Sequence, residues 1–156
     1  MISNQELDQL RSLRAGLFER LDNEQLSRVA SVCEPQNYAA GEFIFRECDL
    51  SEDFYIVTAG AIRLGHDLDQ SGQADIGQAD VGDTFGEMSL FDELPRSMDA
   101  QAAVASHVLR IGRGNWLWLV EHDPALGARL LDYMAKEISF RLRRANWDLV
   151  LLRKGH

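Results

Sequence analysis

The sequence predicts an α+β domain in which an antiparallel β-roll or barrel stands between helices. Three observations carry that expectation. Apolar residues recur at helical spacing as far as Val32, the pattern changes to strand alternation from Tyr38, and a proline-free helical pattern runs from Ala125 to Lys154.

Each element has its own local signal. Leu7, Leu10, Leu13 and Leu17, then Leu21, Leu26, Val29 and Ala30, predict two or three short helices. Asp22 or Asn23 can cap one of them, because a short polar side chain there accepts an orphan helix N–H. The runs 42–46, 54–58 and 61–66 alternate as strands do, and Gly41, Gly60, Gly65, Gly72, Gly77 and Gly82 punctuate them with turns. One further strand is predicted over 100–111. Trp116, Leu117, Leu119 and Val120 then fit a short helix, and Asp123-Pro124 is a typical N-cap and first-turn pair for the last one. Residues 1–156 thus read as one domain, with N-terminal helices (1–35), a roll (36–112) and C-terminal helices (113–156).

Composition sets outer limits. A chain of 156 residues that is 46% hydrophobic can bury a sizeable core without metals or disulfides. Its formal charge of −9 excludes a protein that wraps nucleic acid by general electrostatics, yet leaves room for a local anion site. Cys33 and Cys48 form no CxxC and have no partner at metal spacing, as expected of reduced, cytoplasmic thiols. No signal peptide or membrane span is expected.

In the last helix Leu131, Ala135, Ile138, Leu142, Ala145, Leu149 and Leu152 keep a heptad register. Such a stripe seeks either a second copy, giving a homodimer, or the helix's own domain. A helix on the order of 45 Å long outruns a small roll, which weighs toward self-association.

The segment Gly82–Ala102 carries the chemistry. Phe85 to Phe91 predict about two helical turns whose first N–H groups suit an anion. Gly86 lets the backbone approach a ligand, Arg96 can give a bidentate bond to phosphate oxygens, and Ser97 adds a hydroxyl. Glu87 suits a sugar hydroxyl, which is a donor. The same residues also suit an ordinary helix start followed by an exposed Pro-Arg turn.

The runs Ala40-Gly41-Glu42-Phe43-Ile44-Phe45, Asp53-Phe54-Tyr55-Ile56-Val57 and Gly82-Asp83-Thr84-Phe85-Gly86-Glu87, with Pro95-Arg96-Ser97, resemble the cyclic nucleotide-binding domain, in its catabolite-activator-like form. The resemblance implies an eight-stranded antiparallel β-roll, also described as a double-stranded β-helix or jelly roll, with a phosphate-binding cassette at 82–102. It further implies a long C-terminal helix that often forms a dimer. By motif position, Gly86 and Met88 would offer backbone contacts, Glu87 would hold the ribose 2′-hydroxyl, and Arg96 with Ser97 would hold the cyclic phosphate. Leu90 and Phe91, with Met88, would act as hinge and core.

Three positions depart from the pattern. Met98 stands where alanine is usual, Asp99 adds a negative charge beside the anion, and Cys48 replaces a turn glycine. Strand alternation allows only one of Met98 and Asp99 to face the pocket. On the purine side the matching positions are Arg141 and Leu142; Arg141 would either stack on the base or stay solvated. Cyclic AMP is the first expectation and cyclic GMP the second.

The expected function is a non-enzymatic sensor that signals through its C-terminal helices to a protein effector in trans. No metal, cofactor or catalytic constellation is expected, since His66, His107, His122 and His156 are scattered, and no direct DNA binding, because the chain ends without a helix-turn-helix. The competing readings are a scaffold that kept the roll without its ligand, and the regulatory piece of a longer transcription factor.

Overall fold

The computed structural model describes residues 2–13, 15–69 and 75–155. Gly72 and His156 lie outside them. The N-terminal stripes fold as α1 (Asn4–Ser12), a short 3-10 turn (Gly16–Glu19) and α2 (Asn23–Ser31). Asp22 is the cap of α2: its side chain accepts from the Gln25 N–H while Gln25 reaches back to the Asp22 N–H.

Eight strands follow among the described residues: β1 (Glu34–Tyr38), β2 (Phe43–Phe45), β3 (Phe54–Ala59), β4 (Ile62–Gly65), β5 (Asp75–Ala79), β6 (Thr84–Phe85), β7 (Asp99–Ala102) and β8 (Ser106–Ile111). They pair antiparallel into two sheets, β1-β8-β3-β6 and β2-β7-β4-β5. This is the expected jelly-roll architecture. Two boundaries differ from the sequence reading. β1 begins at Glu34, where Glu-Pro-Gln-Asn shows no apolar alternation; as an edge strand it tolerates proline and a polar face. The single strand expected over 100–111 is two strands in different sheets, because the chain turns at 103–105 and the Ser106 side chain bonds Ala61 and Val104 carbonyls there.

The sheets enclose one core and present a second. Tyr55, Val57, Phe85, Ile62, Leu64 and Val108 fill the roll. Phe54, Ile56, Leu109 and Ile111, on the other face of β3 and β8, pack against Leu17, Phe18, Leu26 and Val29 and against the C-terminal helices. β3 is therefore buried on both faces, which is why its sequence reads as an unbroken apolar run. Gly82 stitches the layers together. Its φ of +90° is open to glycine, and a Cβ there would stand 2.1 Å from the Ala15 carbonyl oxygen, while its own carbonyl accepts from Leu17 N–H and the buried Tyr133 hydroxyl.

After β8, α4 (Arg113–His122) leads to α5 (Pro124–Lys154), capped by the Asp123 side chain on Leu126 N–H. α5 buries Leu126, Leu130, Tyr133 and Met134 against its own chain. The heptad stripe is not that face: Ile138 is half-buried, and Leu131, Ala135, Leu142, Ala145, Leu149 and Leu152 are exposed. No helix among the described residues is long and apolar enough to cross a membrane.

Candidate functional site

The site forms where the turn after β6 meets the loop before β7. Between them lies α3 (Glu87–Asp92), which begins directly after Gly86 without a side-chain cap. Gly86 has φ +82°, and a Cβ at that position would lie 2.9 Å from Arg96 Nη1 and 3.0 Å from the Asp53 carbonyl oxygen. Glycine here meets two demands at once: a left-handed backbone and an arginine laid across it.

Arg96 is buried, and its guanidinium is fixed from several sides. Nε donates to Ser51 Oγ at 2.9 Å, Nη1 to the Gly86 carbonyl at 2.7 Å and Nη2 to the Asp53 carbonyl at 2.6 Å. The Phe45 ring lies beneath it, 4.1 Å from the guanidinium carbon to the ring centroid. Backbone bonds from Arg96 N–H to the Asp49 carbonyl and from Cys48 N–H to the Arg96 carbonyl hold the loop in place. These contacts use three of the five N–H groups and leave one on each terminal nitrogen.

Glu87 is fully buried, an arrangement that a carboxylate tolerates only with a partner. That partner comes from α5. Arg141 Nη1 donates to Glu87 Oε1 at 2.6 Å, and its Nη2 donates to the Thr84 carbonyl at 2.5 Å. Glu87 Oε2 has no hydrogen-bond partner, nor has the buried Thr84 hydroxyl. Burial pushes the Glu87 pKa up, and the Arg141 charge opposes it. An orphaned, buried acceptor of this kind marks a place where a donor belongs.

A small cavity of about 40 Å³ brings the expected residues together: Gly86, Glu87, Met88, Arg96, Ser97, Met98 and Arg141 line it with Phe45, Leu64 and Ser89. Met88 and Ser97 are exposed at its rim. Strand alternation resolves the two departures. Met98 faces the cavity, whereas the Asp99 carboxylate turns to Glu47 N–H at 2.8 Å and lies 3.7 Å from Arg46 Nε, engaged with the loop after β2. Arg141 is half-buried and bound to Glu87, so of its two readings the solvated one does not hold. His66 and His107 bond Glu47 and Thr58 respectively, away from the cavity lining.

Sequence reasoning missed the supports. Ser51 and Asp53 hold Arg96 through a hydroxyl and a carbonyl, and carbonyl positions leave no trace in side-chain pattern. Arg113, the first residue of α4, donates to the Leu90 carbonyl at 2.6 Å and pairs with Glu93, so α3 is tied to α4 as well as to α5. An arginine two residues after a strand was the available signal, and it is a weak one.

With the geometry in place, comparison with known proteins adds relatives. A family model described as the cyclic nucleotide-binding domain matches residues 35–123. The chain is 32% identical over 136 residues to the cyclic AMP receptor protein of Thermus thermophilus, covering 87% of this chain and 61% of the relative. It is 24% identical to the CRP-like cAMP-activated global transcriptional regulator of Mycobacterium tuberculosis, covering 87% of this chain and 59% of the relative. The chain thus spans about three-fifths of the length of these curated relatives. Among solved structures it is similar to the Thermus thermophilus catabolite activator protein, with TM-score 0.71 and 32% identity over 89% of this chain and 63% of that one. A cyclic nucleotide-binding domain from Methylobacillus flagellatus shares the fold, with TM-score 0.78 and 20% identity over 96% of this chain and 84% of that one.

Proposed function

As the chain belongs to the cyclic nucleotide-binding domain family, we propose that it is a cytoplasmic, non-enzymatic sensor that binds cyclic AMP in preference to cyclic GMP. The observation that carries this reading is the buried Glu87 carboxylate, with one oxygen held by Arg141 and the other unpartnered, beside an arginine with two N–H groups to spare.

In this reading the ribose 2′-hydroxyl donates to Glu87 Oε2. The cyclic phosphate takes the remaining N–H of each Arg96 terminal nitrogen and the Ser97 hydroxyl, and the Gly86 and Met88 backbones add contacts. Met98 and Arg141 flank the base. The relatives' printed names, cyclic AMP receptor and cAMP-activated regulator, support adenine as the first choice. Because the cavity is smaller than a nucleotide requires, binding moves α3 and the Arg141 side chain, and with them α5. The output is then a population shift in a homodimer paired through Leu131, Ala135, Ile138, Leu142, Ala145, Leu149 and Leu152, read by a protein effector in trans.

Isothermal titration of the purified chain with cyclic AMP and cyclic GMP tests the reading, with Ser97→Ala and Glu87→Gln as controls. Heat with cyclic AMP that weakens at least about tenfold in both variants supports it. No heat with either nucleotide overturns it in favour of the scaffold reading, which the small cavity favours. The span of about three-fifths of the relatives supports a third assignment, the regulatory piece of a longer transcription factor, and this leaves the titration unchanged.

A further inference from the structure

Charge is segregated along the chain. Residues 140–156 carry five basic side chains against one acidic, a formal +4, while residues 1–139 carry eleven basic against 24 acidic. The positive end is the distal half of α5, and it is also the most exposed apolar segment: Phe140 stands 63% exposed, Trp147 65% and Leu151 62%.

These three residues are not on the heptad stripe. Residues two apart on a helix point roughly 200° from one another, so Phe140 lies opposite Leu142, and Trp147 and Leu151 lie opposite Leu149. The distal helix therefore has two apolar faces back to back. A homodimer through the heptad stripe covers one and leaves the other open. The open face runs at heptad spacing, with Arg143 and Arg144 three and four positions after Phe140 and four and three before Trp147, and Lys154 three after Leu151. No ion pair among the described residues engages Arg143, Arg144 or Lys154.

We propose that the Phe140, Trp147 and Leu151 face seats an acidic amphipathic helix of a partner protein, apolar at heptad spacing and flanked by Asp or Glu. The inference rests on reading α5 as the output element and names the chemistry of what reads it. Charge complementarity selects an acidic partner, since the same face of a second copy would set Arg143 and Arg144 against their own like. Geometry selects a helix over a bilayer: in a parallel pair of α5 helices the two open faces point in opposite directions, and one flat surface cannot meet both. Two separate helices can, by packing apolar knobs between the cations.

The test titrates the full chain with a synthetic heptad peptide that has leucine at its core positions and glutamate beside them, unfolded alone because its charges repel. The expected result is gained helicity in circular dichroism, weakened by salt and weakened at least about tenfold in a Phe140→Ser/Trp147→Ser variant whose mass by light scattering equals the parent's. Both residues are exposed, so the variant keeps its fold. No gain in helicity, equal binding by the variant, or a halved mass of the variant overturns the proposal. So does binding to phosphatidylserine/phosphatidylcholine vesicles in place of the peptide. Cyclic nucleotide titration of the same sample reads the sensor function separately, so either reading can fail alone.

Discussion

The Arg141 guanidinium reaches 54 residues back along the chain to the Glu87 carboxylate, 2.6 Å away. It is the link between the middle of α5 and the first residue of α3. A half-buried arginine holds a fully buried acid by one oxygen only, and its second terminal nitrogen holds the Thr84 carbonyl just before the cassette turn. One side chain thereby joins the cassette to α5.

Glu87 gives the fold a definite pH dependence. Burial raises its folded pKa above the ordinary 4.5, so between the unfolded and folded values the folded chain holds the proton that the unfolded chain has lost. Its contribution to stability is complete below about 4.5 and is lost as pH rises through the folded value. Glutamine cannot titrate. The melting temperature of Glu87→Gln relative to the parent should therefore increase from pH 4 to pH 7, by about 2–4 °C for each kcal/mol relieved. A gap that stays constant or narrows across that range refutes the assignment.

Arg96 holds its own loop together. Removing it orphans the Ser51, Asp53 and Gly86 acceptors and uncovers Phe45, so Arg96→Ala should lower stability by about 2–4 kcal/mol in urea unfolding. Ser97→Ala, at an exposed hydroxyl, should leave stability within about 0.5 kcal/mol of the parent while weakening nucleotide binding. Equal stability of the two variants would show that the Arg96 contacts contribute nothing.

The roll and the cassette were legible because their signals are local. The apolar run Phe54–Val57, the spaced glycines, and a Gly-Glu pair followed by Pro-Arg-Ser are each confined to a few residues. What escaped depends on tertiary contact. β1 has a polar edge-strand sequence, the turn at 103–105 has neither glycine nor proline to mark it, and the Glu87–Arg141 pair joins residues 54 positions apart. The heptad stripe was visible, but only the structure shows that the domain packs Leu126, Leu130, Tyr133 and Met134 and leaves that stripe outside.

Cys48 occupies a left-handed turn, with φ +72°, where its N–H bonds the Arg96 carbonyl. A β-carbon in that region costs roughly 1–2 kcal/mol, and glycine recovers this less its larger unfolded-state entropy. Cys48→Gly should stabilise the protein by about 0.5–1 kcal/mol, read as a higher urea midpoint at unchanged slope. A lower midpoint would mean that the thiol contributes contacts that outweigh the strain.

The heptad stripe and the Glu87 clasp are adjacent on the same helix, since Arg141 and Leu142 are consecutive and point roughly 100° apart. A rotation of α5 that seats Leu142 in a dimer therefore also turns the Arg141 stem. Leu142 and Leu149 are exposed, so Leu142→Glu/Leu149→Glu should leave the melting temperature of the isolated fold within a few degrees while halving the mass measured by light scattering. Coupling between sites is reciprocal: if dimerisation raises affinity for the cyclic nucleotide by some factor, the nucleotide tightens the dimer by the same factor. The monomeric variant should bind cyclic AMP with an affinity different from the parent's, and saturating nucleotide should shift the parent's dimer dissociation constant by that ratio. A halved mass with unchanged nucleotide affinity would separate the two devices and leave Arg141 a local clasp.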